Sequence, residues 1–561
     1  ESDSIYFYNA VFKIYGFPFF YLPYLKTVRP TVERKTGFSA PSYKNNNHFG
    51  YGIYVPYYIR ISDNKNLTLT PLVYTKYWNY ALETIYRHYL RGGEYNIIGS
   101  LANDKGASDD ILLSNGLTRR EERKDRDFGA YIQAIGAFEL FNNWIVDFNG
   151  SLVSDEYYLR DYKNDYSDYL THFINFQKVW QRNNLSIKAL TFTEVNGSDR
   201  EVNKTPVVLP MINSHVEGKT YNFVNKHIAL RSELDSNFSV ISRNEGLQYR
   251  RLTIKPNLYN SYIKWGNVIK FEMNLKSDFY SLDENYEEDD RDQIMEYDSF
   301  KSRFIPQAEL EWSYPLARKG QIFNTRLLVE PIVKLISTPN SDYNNKYPNE
   351  DSKVTAISDS NLFSSNRFSG FDRVETGSRS AYGIKGGLYS ADYGNFRFLI
   401  GQAYELKKDK NIEIRGFSDN FSDVVGGLSY STDKIFDIYY RFRIDKVKYE
   451  ARSHEVSSSF DFDYFDFGID YTWLFPELDG DTEKEEITPS VGIKLPFNMH
   501  FNASITRDLF EEDVTISKNM ELSYKGSCVF SSISLSEITP RDGSEKSRSI
   551  TFNIKIQNQW L

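Results

Sequence analysis

The sequence predicts an all-β chain: one large transmembrane antiparallel β-barrel of about 26 strands, counting roughly ten residues per strand and connections of similar mean length. Three observations point there. The 561 residues include 43 Tyr and 40 Phe, but only 7 Trp and 5 Met. Apolar and polar residues alternate with period two from one end of the chain to the other. Mean hydropathy is −0.54, and no apolar run reaches the ~18 residues that a membrane-crossing helix needs. A barrel strand needs apolar residues only at alternate positions, so its mean hydropathy stays low.

Each observation has a physical basis. Tyr and Phe suit a pleated surface that is apolar on one side. Tyr also suits a boundary between an apolar phase and water, with its ring on one side and its hydroxyl on the other. The alternation recurs in widely separated segments. Ile269, Phe271, Met273 and Leu275 face one way, and Lys270, Glu272 and Asn274 the other. Phe436, Ile438, Tyr440, Phe442 and Ile444 oppose Asp437, Arg441 and Arg443. Val146, Phe148, Gly150 and Leu152 oppose Asp147, Asn149 and Ser151; Ile550, Phe552, Ile554 and Ile556 oppose Thr551, Asn553 and Lys555. One such segment would fit a soluble sandwich equally well. So many, without a linker to divide them, exceed what a single soluble sheet sustains.

The connections are asymmetric, some short and others long and polar, as in 283–298, 340–350 and 477–486. Long loops at one end and short turns at the other are a barrel habit. Within 460–471 the apolar parity shifts between Tyr464 and Phe465, predicting a bulge or a tight turn. Residues 1–36 read differently. Tyr6, Tyr8, Phe12, Tyr15, Phe17, Phe19, Phe20, Tyr21 and Tyr24, with Pro18 and Pro23, form a dense aromatic cluster that looks like the end of a separate small β domain. The chain opens on Glu1 without a signal-peptide pattern, as expected of a processed or truncated chain.

Other function classes find little support. A net charge of −9 argues against nucleic-acid binding, which needs a basic surface. Cys528 is the only cysteine, so neither an internal disulfide nor a multi-cysteine zinc site is available. No His-Glu-x-x-His, Gly-x-Ser-x-Gly or phosphate-loop motif is present. His48, His88, His172, His215, His227, His454 and His500 are scattered, with no metal-pair spacing, and read as loop, lumen or interface residues. The acidic run 283–298 has oxygen ligands that suit divalent cations, though a solvated loop is the plainer reading. No catalytic residue, metal site or cofactor is expected, and the chain reads as a channel, not an enzyme. Two prolines are more informative. Pro41 lies in or beside the first candidate strand and Pro56 in the next. Proline has no N–H to give to a ladder. They mark either a weak seam or a strand edge outside the membrane zone.

Two blocks resemble the LptD family. Residues 37–71, GFSAPSYKNNNHFGYGIYVPYYIRISDNKNLTLTP, resemble the opening of that family's barrel: a Gly-Phe-x-x-Pro start, a Pro-Tyr-Tyr strand, and an alternating Leu-Thr-Leu-Thr-Pro. Residues 361–383, NLFSSNRFSGFDRVETGSRSAYG, resemble a segment in its second half. Upstream, Gly16-Phe17-Pro18 and Tyr21-Leu22-Pro23-Tyr24, with Arg29 and Arg34, resemble the exit from the family's periplasmic jellyroll. The resemblance implies a jellyroll end at 1–36 and an outer-membrane barrel at 37–561, in a Gram-negative bacterium. It implies translocation of lipopolysaccharide and its release into the outer leaflet through a lateral gate between the first and last strands. Pro41 and Pro56 match the family's gate prolines, and 549–557 the last strand. The implied gate residues are Pro41, Pro56, Tyr43, Ile550, Phe552 and Ile554. Implied partners are lipopolysaccharide, an LptE-type lipoprotein plug, an LptA-type periplasmic bridge reached through the jellyroll, and the barrel-assembly machinery. The chain departs from the family in having Cys528 without a second cysteine and a short tail ending at Trp560-Leu561. A porin-like or ligand-gated channel is the alternative, then a barrel-embedded lipid hydrolase. A soluble repetitive adhesin would show a repeat period, and none is found.

Overall fold

A computed structural model describes residues 4–556, except 15–16, 29–35, 39–41, 47–48, 77–78, 104–107, 113–117, 123–127, 156–157, 164, 166, 168, 196–203, 224–227, 286–298, 321–324, 341–343, 345, 408–415, 418, 433–434, 477–482, 511–513, 527–528 and 540–546. Strands Ser4–Ile14 and Phe17–Val28 pair with each other in a two-stranded sheet of their own. From Gly37 onward, strand follows strand in antiparallel order until Ser547–Ile556 meets Ser42–Asn46 and the sheet closes. Among the described residues the ring has 29 strand segments. Three staves are each broken into two segments, so 26 staves make the wall. The first is Gly37–Phe38 with Ser42–Asn46, the second Gly50–Tyr54 with Tyr57–Ser62, and the fourteenth Phe300–Ser313 with Leu316–Lys319. Closure is what a lipid phase demands, because lipid supplies no partner for an unpaired backbone N–H or C=O.

The wall is inside-out relative to a soluble protein. In strand Asn267–Asn285 the apolar set faces outward, with Phe271 39% and Met273 48% exposed. The polar set faces the lumen, where Asn274 is 7% and Asp278 0% exposed. Exposed Leu, Ile and Val recur around the ring, as at Ile132, Leu152, Ile384, Ile400, Val491 and Ile533. Apolar surface this extensive needs a lipid covering. No described helix is long and apolar enough to cross a membrane, and the strands do the crossing.

Connections alternate in length. Ser62–Lys65, Leu90–Gly93, Trp180–Asn183, Lys264–Asn267, Ser390–Gly394 and Leu495–Met499 are joined by a few residues. At the other end, Asn103–Phe128, Val153–Tyr169, Thr338–Gly377 and Lys407–Val424 are far apart in sequence. The expected parity shift near Tyr464 is a tight turn, between strands Ala451–Asp461 and Phe465–Leu474. The acidic run begins inside a strand, which continues to Asn285; 286–298 lie outside the described residues. Strand length varies: Gly246–Lys264 and Asn267–Asn285, halfway around from the closure, have 19 residues each, whereas the described segments of the first stave, Gly37–Phe38 and Ser42–Asn46, have 2 and 5.

Charging the lipid face near mid-membrane is costly. Met273→Arg is expected to lose ~2–4 kcal/mol, read by equilibrium unfolding in lipid vesicles. Lys270→Arg, on the luminal face, should leave the curve in place.

Candidate functional site at the seam and in the lumen behind it

Among the described residues the closure is the thinnest pairing in the ring. Across it their register holds one residue pair, Phe552 with Tyr43. On its other side the last stave pairs at ten positions with Val529–Ile538, including Ile550 with Leu535 and Ile554 with Ser531. Ile550 is on the outer face. Pro56 sits with Val55 in the break of the second stave, where Val55 still donates its N–H to the Pro71 carbonyl at 3.3 Å. Pro41 lies outside the described residues, as do the side chains of Tyr43, Phe552 and Ile554 and the whole of Cys528, His48 and His227.

Behind the seam an inward loop carries Tyr158, Leu159 and Tyr162. They pack on Phe49, Leu72, Tyr74, Ala81 and Ala102 of the opening staves. Tyr158 stacks on Tyr162 with ring centres 4.8 Å apart, and Tyr162 on Phe49 at 4.9 Å. Their hydroxyls are satisfied: Tyr158 shares a 2.7 Å hydrogen bond with Ser100, and Tyr162 donates to the Asn103 carbonyl at 3.1 Å. Gly129 lets Tyr158 lie against the wall, since a Cβ there would sit 2.7 Å from the Tyr158 ring. At the end of the turn Lys163 forms an ion pair with Glu83. Burial pulls the Lys163 ammonium down to about 8.

A second inward loop, residues 339–376, fills part of the lumen. The described residues of the stretch 340–350, expected as a long polar connection, turn inside and are anchored there. The Asn344 side chain donates to the Val374 carbonyl at 2.8 Å. Fully buried Asp372 accepts hydrogen bonds from the Tyr249 and Tyr280 hydroxyls, both at 3.1 Å, and from the Glu350 N–H at 2.8 Å. It also pairs with Arg251, whose guanidinium reaches Asp351 at 2.9 Å. Arg303 donates to the Asp372 carbonyl at 2.7 Å and to Asp278 at 2.6 Å. Arg367 and Arg379 converge on Glu375, Arg379 at 3.0 Å. Arg441 holds Asp359 at 2.6 Å. Two wall glycines make room, for a Cβ at Gly401 would lie 2.6 Å from Leu362, and one at Gly427 2.4 Å from Asp359. Buried charges persist only when paired this fully.

Sequence reasoning placed the 361–383 block but missed this network. Its available signal was Arg, Asp and Glu set among Asn, Ser and Gly, with Gly370 at φ +66° turning the chain. The described histidines have ordinary polar partners: His172 with the Ser151 N–H and Thr193, His215 with Asp235, His454 with Tyr440, and His500 with Asp466. Among the described residues no group of His, Cys, Asp or Glu is placed to hold a metal.

Two outcomes are expected. Burial raises the Asp351 and Glu375 carboxyls, but Arg251 beside the first, and Arg379 and Arg367 beside the second, hold both below the usual carboxylate range. Their stabilisation is present in full above about pH 5 and is lost as pH falls through the unfolded and then the lowered values. Protease nicking of the 339–376 loop should therefore be negligible at neutral pH and rise only under strong acid. Asp372→Ala removes the fully buried one of Arg251's two carboxylate partners, and the acceptor of the Tyr249 and Tyr280 hydroxyls, and should cost ~3–5 kcal/mol. A midpoint unchanged in urea would refute that role for the network.

Comparisons with known proteins agree with these features. The family model LptD, LPS transport system D, matches residues 127–502, about two thirds of the chain. The LPS-assembly protein LptD of Pseudomonas aeruginosa (strain LESB58) is 22% identical over 73% of this chain and 46% of its own length. That of Vibrio vulnificus (strain CMCP6) is 24% identical over 94% and 67%, and that of Legionella pneumophila (strain Paris) 26% over 75% and 51%. The chain spans between about half and two thirds of these relatives. The solved ferric-catecholate import receptor Fiu from E. coli K12, open form, overlaps 96% of this chain and 84% of its own at 8% identity with a TM-score of 0.35, too slight a likeness to bear on function. The lipid-facing barrel and the family match place the protein in the outer membrane of a Gram-negative bacterium. A match over most of the barrel, with closure between its first and last staves, makes this chain a member of the LptD family.

Proposed function

We propose that the chain translocates lipopolysaccharide through the outer membrane and releases it into the outer leaflet between its first and last staves. The observation that carries this reading is the seam: among the described residues, one register pair at Tyr43 and Phe552, against ten on the other side of the last stave. Each ladder hydrogen bond is worth about 1 kcal/mol net in water and more in lipid. A ring with one under-paired joint opens there first. Pro56, and Pro41 by its place in the sequence, subtract N–H donors beside that joint.

An amphiphile cannot cross a bilayer head first, because its charged head would be stripped of water. A polar lumen with a lipid-facing slit separates the two phases. The sugar head travels among side chains such as Asn213, Asn237 and Asn274, while the acyl chains stay in the membrane. The Ser4–Val28 hairpin is then the end of a periplasmic jellyroll that receives lipopolysaccharide from an LptA-type bridge. An LptE-type lipoprotein completes the plug, and the barrel-assembly machinery inserts the barrel. Pro41, Pro56, Tyr43, Ile550, Phe552 and Ile554 form the gate, and the role is transport without catalysis or cofactor. A porin-like channel is less well supported, since the 339–376 loop already obstructs the lumen.

A photo-crosslinking residue at Tyr43, and separately at Phe552, should capture lipopolysaccharide in irradiated cells, while Phe271 on the outer wall should not. Silence at both seam positions in a folded barrel would move the reading to an ordinary channel. Conversely, cysteines at Tyr43 and Phe552 that oxidise to a bridge should stop surface delivery, and reduction should restore it.

A further inference from the structure

Directly behind the seam lies a cavity of about 180 Å³, lined by both edge staves and by the inward loop. Ser42 comes from the first stave and Thr551 from the last. Tyr54, Leu72, Ala81 and Tyr162 give it an apolar flank, and Glu83, Ser100 and Lys163 a polar one. The polar flank holds one cation, paired with one carboxylate. The cavity is therefore amphipathic, touches the only weak joint in the described ring, and presents a half-buried ammonium to whatever passes the joint.

On the reading of the seam as a lateral gate, we propose that this cavity is a phosphate subsite: Lys163 receives a phosphate group on the sugar head of the exported lipid, displacing Glu83, while Tyr54 and Tyr162 face the adjoining apolar part. Its volume suits a phosphate and part of one sugar ring and excludes acyl chains, which must stay beyond the seam. Four features favour this occupant. Lys163 is held away from bulk water, where a charge-assisted hydrogen bond to phosphate gains strength. One carboxylate leaves the desolvated ammonium incompletely compensated, as its lowered proton affinity indicates, so a more highly charged anion is a better partner. Ser100 adds a hydroxyl on the same polar flank. The Lys163 ammonium also lies 6.0 Å from the centre of the Tyr131 ring, an uncharged contact it can keep while exchanging Glu83 for phosphate. Lys163 is thus a specificity residue for head groups that carry phosphate, and its turn, packed through Tyr158 and Tyr162, couples the arrival of the head to the staves that must part.

The test uses the full-length protein with its partners in nanodiscs, carrying a photo-crosslinking residue at Ser42 in the cavity or at Phe552 in the seam. The probes are phosphorylated lipopolysaccharide, the same material after phosphatase treatment, and inorganic phosphate as competitor. Capture from Ser42 should fall about tenfold or more in Lys163→Gln, the worth of one charge-assisted hydrogen bond. It should survive in Lys163→Arg and drop similarly for the dephosphorylated lipid. A folded Lys163→Gln protein, shown by heat-modifiable migration, with undiminished capture from Ser42 would overturn the subsite while leaving the gate intact. Loss of capture at Phe552 from the unsubstituted protein would instead overturn the gate reading itself. Equal suppression by inorganic phosphate at the concentration of the lipid would assign a free-phosphate site and overturn the lipid-head assignment.

Discussion

Inside the lumen, the Asp372 carboxylate gathers the Tyr249 and Tyr280 hydroxyls and the Arg251 guanidinium, and the 339–376 loop stays turned inward only while those bonds hold. The constraint behind them is general. Buried charge is tolerated when it is paired and hydrogen-bonded on all sides, and expelled when it is not. Here the wall supplies Arg251, Arg303, Arg379 and Arg441, and the loop answers with Asp351, Asp372, Glu375 and Asp359. The wall could not be apolar inside and still hold this loop. It could not be polar outside and still sit in lipid. The period-two strand reconciles the two demands residue by residue.

The same rule, relaxed locally, produces the seam. Elsewhere among the described residues each stave pairs with both neighbours at several positions. At the closure the described pairing shrinks to Tyr43 with Phe552, and the space behind it is occupied by a different kind of loop. Among its described residues that loop is held by stacked tyrosines, with the Lys163–Glu83 pair at its end. One inward loop thus braces the wall through charge, and the other backs the joint through aromatic packing that is easier to rearrange.

Much of the architecture was legible because alternation exposes strand faces directly. The sets Ile269/Phe271/Met273/Leu275 and Lys270/Glu272/Asn274 are two sides of one strand, and the structure keeps them so. Parity alone does not say which side faces lipid; the number of strands settles that. The luminal loop was illegible for a related reason. A segment rich in Asn, Ser, Asp and Arg reads as water-facing whether the water lies outside the barrel or the polar groups lie within it. Residues 340–350 read as a long polar connection with no side assigned, and the partners of Asn344 and Glu350, the Val374 carbonyl and the Asp372 carboxylate, place them within the lumen. The Lys163–Glu83 pair was hidden because its members are 80 positions apart on elements that only closure brings together.

The uneven height of the wall has a mechanical meaning. Gly246–Lys264 and Asn267–Asn285 stand 19 residues tall, opposite the joint, and are tied through Arg251, Lys276 and Tyr280 to the loop within. At ~3.3 Å per residue and a tilt near 45°, such strands rise about 45 Å, well beyond the ~25 Å apolar band of a barrel. A split ring bends where it is thinnest and least braced. On the proposed lateral opening, a back fixed in this way would make the cylinder a spring clip: the short staves would spread and recoil, and the far side would keep the shape to which they return.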